Sequence, residues 1–232
     1  MIRLAVEART HSGHQWELLA AIVGMQMGQS LLSADSVVQR TVFNLLFLVI
    51  VVAAVRAMSN SHRRAMTALS VGAMAFILAS IADYRASDVL AVSTCFCYLL
   101  VFGILAETVS RSVFRSGRVD LDRIAGAATI YLLIAMMFAV LFTMLEILSP
   151  GSFHLNVDLE GDRGGLNQIR LGELTYFSNI TLTTLGYGDV VPVSRPARSL
   201  AALEAIIGQL YMAIVMARLV GMHIANLATS DR

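Results

Sequence analysis

The segment GELTYFSNITLTTLGYGD, residues 172–189, holds the residue types with the most specific chemical use in this chain. Its last six residues, Thr184-Leu185-Gly186-Tyr187-Gly188-Asp189, put glycine at alternate positions. Glycine adopts φ > 0 without steric cost. A backbone alternating between opposite hands turns its carbonyls toward one axis. Carbonyl oxygens stacked that way replace the water shell of a dehydrated cation such as K⁺. Thr184 offers a hydroxyl as well as a carbonyl, a natural innermost site. The side chains of Leu185 and Tyr187 are expected to pack away from that axis.

Such a segment has to be held by its surroundings. Residues 173–183 predict a helix of eleven residues, about 16 Å long at ~1.5 Å per residue. That is half a bilayer. Gly186 and Gly188 stop the helix, and Val190, Val191 and Pro192 lead the chain back out. Irregular backbone at membrane depth survives only where protein shields it or where it lines water. The partial negative charge at the end of the half-helix favours a cation just beyond it.

The rest of the chain supplies a membrane setting. Of the 232 residues, 57% are hydrophobic and 14% charged, against roughly 45–50% and ~25% in soluble domains. A soluble enzyme and a disordered chain are both excluded, and no catalytic constellation points to an enzyme. The formal net charge of +1 offers no basic field for nucleic acid. Apolar runs predict six spans near 16–34, 41–58, 65–82, 88–110, 122–148 and 198–226. The stretch 45–55 carries no polar side chain at all. The first run is the weakest, because Gly24, Gln26, Gly28 and Gln29 interrupt it. Cys95 and Cys97 lie two apart in an apolar run, a spacing that does not face a pair together on a helix, and read as buried apolar residues. The N-terminus shows no cleavable signal peptide.

All seventeen basic residues are Arg. Eleven of them (Arg3, Arg9, Arg56, Arg63, Arg64, Arg111, Arg115, Arg118, Arg123, Arg218 and Arg232) fall on one side of a six-span arrangement. Six fall on the other. By the positive-inside rule both termini are cytoplasmic in a multi-pass protein of the cell membrane. The expected organisation is a cytosolic N-terminus at 1–15, a four-helix membrane domain at 16–110 and a cytosolic linker at 111–121. A pore-forming domain follows at 122–227, then a tail at 228–232. The polar stretch 149–172 reads as an outer loop, made acidic by Asp158, Glu160 and Asp162. No cytosolic ligand-binding domain is expected after the last span.

Thr183-Thr184-Leu185-Gly186-Tyr187-Gly188-Asp189 resembles the signature filter of potassium channels, with Leu185 where the commonest form has Val. The resemblance covers about 122–226, and the flanking YFSNITLTT and DVVP also fit. It implies an all-α membrane protein with a re-entrant pore helix and selectivity filter between the last two of six transmembrane helices. It also implies K⁺ ions in the filter, bound by the carbonyls of Thr184, Leu185, Gly186 and Tyr187 and by the Thr184 hydroxyl, with no organic cofactor, and a homotetrameric pore, since one pore loop per chain cannot close a ring. Thr183, Gly188, Asp189 and Tyr176 are then filter support. In relatives the filter Asp bonds a pore-helix aromatic, here Tyr176 rather than Trp, and the pore-helix Glu of some bacterial relatives is replaced by Ile180. Gly208, 20 residues after Gly188, matches a hinge glycine; close helix packing is the equal alternative. Glu146, by the same resemblance, could bond the backbone that follows the filter. Glu204 could pair with Arg198 or sit behind the filter. For both acids a surface carboxylate is the bland reading.

The layout resembles voltage-gated channels, but the fourth span carries no Arg before Arg111. Without charge inside the field it supplies no gating energy. Arg111, Arg115 and Arg118 share a helical face and read as a linker touching anionic lipid headgroups. The function implied is a K⁺-selective channel. The alternatives are a subunit of a coupled K⁺ transporter, a non-selective cation channel, and a non-conducting accessory protein.

Overall fold

A computed structural model describes residues 14–31, 46–52, 62–85, 87–114, 121–154 and 163–230. Residues 1–13, Arg115, Arg118, Asp158, Glu160 and Asp162 lie outside the described residues, as does most of the second expected span. The chain forms α1 (His14–Leu31), a helical stretch at 46–52, α2 (His62–Arg85), α3 (Asp88–Val113) and α4 (Leu121–Leu148). The strand β1 (Phe153–His154) follows, then α5 (Arg163–Leu182), β2 (Val191–Pro192) and α6 (Arg195–Ser230).

The protein is an all-α membrane protein apart from those two short strands. Among the described residues three helical segments are long and apolar enough to cross a bilayer: Asp88–Val113, Leu121–Leu148 and Arg195–Arg218. A shorter apolar helix covers Met66–Ala82. The front of the molecule packs one core from α1 (Leu18, Ile22, Met25), the stretch at 46–52 (Phe47, Ile50, Val51), α3 and α4. Tyr98, Phe102 and Phe47 meet there, with ring centroids 4.7 to 6.4 Å apart. Cys95 and Cys97 are buried in the same core and unbridged.

A second core unites α4, α5 and α6. Phe142 meets Phe138, Phe153 and Phe177 at 5.2 to 6.0 Å between ring centroids. Leu174, Val190, Ala197 and Ala201 close around them. Such offset and edge-on ring pairs fix angle as well as area.

Three boundaries differ from expectation. The helix before residues 184–189 begins at Arg163, ten residues earlier than expected, so ten of the 24 residues read as outer loop are helical. Gly164 and Gly165 lower helix propensity there, but no proline breaks the run. The last helix runs 36 residues to Ser230, about 54 Å, and so takes in most of the expected tail. The expected linker at 111–121 is shortened because α3 continues to Val113, where the Phe114 N–H bonds Ser110 O at 2.9 Å.

β1 and β2 pair antiparallel, Phe153 with Pro192 and His154 with Val191. β1 lies just after α4 and β2 just before α6. The whole excursion through α5 therefore leaves and returns at one end of the α4–α6 pair. That is a re-entrant path.

Candidate functional site

The end of α5 hands its free carbonyls to the segment that follows. The Thr183 N–H bonds Asn179 O at 3.1 Å and the Thr184 N–H bonds Thr181 O at 2.9 Å. Ile180 O accepts from both Leu185 N at 2.8 Å and Gly186 N at 3.2 Å. Beyond it the backbone alternates. Thr184 (φ 58°), Gly186 (φ 53°) and Gly188 (φ 81°) have positive φ, while Leu185 and Tyr187 do not. The glycines were expected to carry this alternation; Thr184 extends it by one residue. A β-branched residue at φ > 0 is a real outlier, costing about 1–3 kcal/mol and persisting where surroundings over-determine it.

Those surroundings are visible at the inner end. Gln209 Nε2 of α6 donates to Thr184 Oγ1 at 3.1 Å, and Thr184 Oγ1 donates to Thr183 O at 2.7 Å. At the outer end Tyr176 O–H donates to Asp189 Oδ2 at 2.6 Å, and Val190 N–H donates to Asp189 Oδ1 at 3.1 Å. The pairing of Tyr176 with Asp189 is the one expected. The Tyr176 hydroxyl holds the Asp189 carboxyl below the usual carboxylate range, and the same bond pushes the Tyr176 phenol up to about 12.

Leu185 and Tyr187 are only partly covered by their own chain; they are 55% and 69% exposed. One chain holds the backbone of this segment but leaves its apolar side chains uncovered.

α6 supports the segment from behind. A Cβ on Gly208 would lie 2.2 Å from Leu182 O, the last carbonyl of α5. Tyr131 O–H donates to that same oxygen at 3.0 Å. Of the two readings of Gly208, the structure supplies the packing role, and α6 runs through it as unbroken helix. Tyr211 stacks near Tyr131 at 5.6 Å and donates to Ala127 O at 2.7 Å, pinning α6 to α4.

Glu204 is fully buried. It shares a hydrogen bond with Ser178 of α5, and Ser178 donates to Ala135 O of α4 at 2.7 Å. It thus sits behind the pore helix. Arg198 is not its partner; the Arg198 Nε–H bonds Pro192 O at 3.2 Å and anchors β2. Glu146 is buried too, but it does not bond the backbone after the filter. Its oxygens accept from Gly151 N at 2.8 Å and Phe153 N at 3.0 Å. Gly151 lies in the turn before β1 and Phe153 opens β1, so Glu146 braces the strand that pairs with β2 just after the alternating segment. Arg111 pairs with Glu107 on its own helix.

Sequence reasoning missed Ser178, Tyr131, Gln209 and Arg218. Gln209 carried the clearest signal, a polar residue inside an apolar run beside Gly208. Arg218 of α6 bonds Phe114 O at 2.8 Å and lies 4.7 Å from the centre of the Phe114 ring. Among the described residues no group of three His, Cys, Asp or Glu could hold a metal ion.

Residues 127–224 match the family model described as ion channel. Protein LctB of Bacillus caldotenax is 30% identical over 122 residues, which are 52% of this chain and 87% of that protein. The chain belongs to this ion-channel family. Protein LctB of Geobacillus stearothermophilus is 27% identical over 121 residues, again 52% of this chain and 87% of that protein. No solved structure matches. The family match takes in α4, α5, the alternating segment and most of α6. The channel's α1, α2 and α3 lie before it.

Proposed function

We propose that this ion channel is selective for K⁺ and works as a homotetramer with its pore on the symmetry axis. The observation that carries the reading is the alternating backbone at 184–188, with positive φ at Thr184, Gly186 and Gly188. Four such segments around an axis stack rings of carbonyls from Thr184, Leu185, Gly186 and Tyr187 that replace the water of K⁺. Thr183 and Gly188 frame the stack, and Tyr176 with Asp189 fastens its outer end. The exposed Leu185 and Tyr187 side chains support a tetramer, because neighbouring chains would cover them.

The negative end of α5 faces the inner end of the stack and lowers the energy of a cation there. Transport is passive, down the electrochemical gradient. In this reading six spans cross the membrane and both termini are cytoplasmic. The front helices form a membrane domain that does not sense voltage, since α3 carries no basic residue before Arg111. Arg111, Arg115 and Arg118 meet anionic lipid headgroups.

The test is a planar bilayer holding purified protein, with KCl on one side and NaCl on the other. The expected result is unitary current reversing near the K⁺ equilibrium potential, with openings independent of voltage. Reversal near zero would overturn selectivity and favour a non-selective cation channel. Flux with a fixed H⁺ or Na⁺ stoichiometry and no unitary steps would favour a coupled transporter subunit.

A further inference from the structure

We infer that Gln209 is a positioning residue for the innermost cation site, acting through the Thr184 hydroxyl. The inference rests on the K⁺-channel reading for its function, and on two hydrogen bonds for its geometry.

A hydroxyl has one proton and two lone pairs. The Thr184 proton is committed to Thr183 O at 2.7 Å. One lone pair accepts from Gln209 Nε2 at 3.1 Å. That leaves one lone pair, and a cation needs a lone pair rather than a proton. A free threonine rotor would turn its proton toward the site for part of the time. Two partners, one taking the proton and one filling a lone pair, stop that rotation. Gln209 fixes the rotor from the inner helix, while Thr183 fixes it from the filter's own backbone.

The reach of Gln209 depends on its neighbour. With a Cβ only 2.2 Å from Leu182 O, any side chain at 208 would push α6 off the end of α5. Gly208 therefore sets the separation across which the Gln209 amide meets Thr184. A glutamine also suits the place electrically. Its amide is polar enough to face a hydrated cation and carries no charge that would trap one.

The experiment is a double-mutant cycle read by Ba²⁺ block in planar bilayers, with Ba²⁺ added on the side of the inner helix ends. Ba²⁺ resembles K⁺ in size and carries twice its charge, so the same oxygen ligands should hold it longer. Gln209→Leu and the isosteric Gln209→Met should shorten the mean blocked time about fivefold, the scale of one lost hydrogen bond. In a Thr184→Ala background the same changes should do nothing more. Thr184→Ser keeps the hydroxyl and should restore the sensitivity. Equal effects of the Gln209 changes with and without the hydroxyl would overturn the inference, as would no effect in the parent.

A second measurement does not depend on conduction. The side-chain amide resonance of Gln209, identified by its loss in Gln209→Met, should move in Thr184→Ala and stay in place in Thr184→Ser. An unmoved resonance in Thr184→Ala refutes the bond. Currents that are silent or non-selective while the resonance moves would count against the K⁺ reading and leave the positioning role supported.

Discussion

Glu204 of α6 and Ser178 of α5 share a hydrogen bond in a place closed to solvent. Ser178 brings one hydroxyl proton, and Ala135 O takes it at 2.7 Å. The other Glu204 oxygen, Oε2, has no partner. The three residues clamp α4, α5 and α6 together. A buried acid with one companion is costly to strand and easy to replace.

Three variants separate these effects. Glu204→Gln brings a hydrogen of its own to Ser178 and should keep assembly and current. Ser178→Ala leaves the buried acid alone and should destabilise by about 1–3 kcal/mol. Ser178→Ala with Glu204→Leu should recover part of that loss, because no polar group is left stranded. Thermal melts of the detergent-solubilised protein measure all three. A double variant worse than the sum of its parts would refute the clamp.

Gly208→Ala places a methyl 2.2 Å from the backbone oxygen of Leu182. That oxygen belongs to the end of α5 and cannot swing aside as a side chain would. The expected cost is about 1–3 kcal/mol of stability, visible as a lower melting temperature. A hinge role alone predicts altered opening kinetics with an unchanged melt, so the melt decides between the two.

The Tyr176–Asp189 bond gives the outer end a pH signature. Asp189 titrates below the ordinary carboxylate range in the folded protein, chiefly because Tyr176 donates to its ionised form. A depressed carboxylate contributes stability at neutral pH and loses it as pH falls through the folded value. The native protein should therefore hold its outer end to a lower pH than an ordinary aspartate would allow. Tyr176→Phe removes the largest cause, so acid should disrupt the filter at higher pH. Single-channel current or melting temperature recorded from about pH 6 to pH 3 measures the shift. Identical acid midpoints in the two proteins would refute the coupling.

Glu146 accepts from two backbone amides with two different oxygens. Glu146→Gln keeps one acceptor and sets an NH₂ against the other amide. Glu146→Ala strands both. The expected order of stability is parent, then Gln, then Ala, with about 1–3 kcal/mol for each stranded amide. Equal melts for the two variants would refute the bonds' contribution, because Gln keeps one acceptor and Ala none.

The sequence was most readable where chemistry narrows the choice of residue. Gly186 and Gly188 announced the alternating backbone, and Tyr176 with Asp189 announced its outer fastening. Long apolar runs located α3, α4 and most of α6, because a bilayer demands length and little else. The early start of α5 was hidden by Gly164 and Gly165, whose low propensity is local while helix extension is cooperative. Thr184 at φ 58° was illegible because intrinsic preference argues against it. Glu146 and Glu204 stood out as acids near apolar runs. Their partners did not: Gly151 and Phe153 offer only backbone, and Ser178 looks like any helix serine. Gly208 could be read two ways until Leu182 O was seen behind it.

The grip of Arg218 on Phe114 ties the far part of the inner helix to the end of α3. A guanidinium that both caps a helix's terminal carbonyl and lies over a ring is held in two directions at once. Sideways travel of α6 at that level must either let go of Phe114 or drag α3 along. α3 and the helices packed on it thus act as ballast on that part of α6. How heavily they are moored in the surrounding lipid then sets how freely that stretch of helix can move.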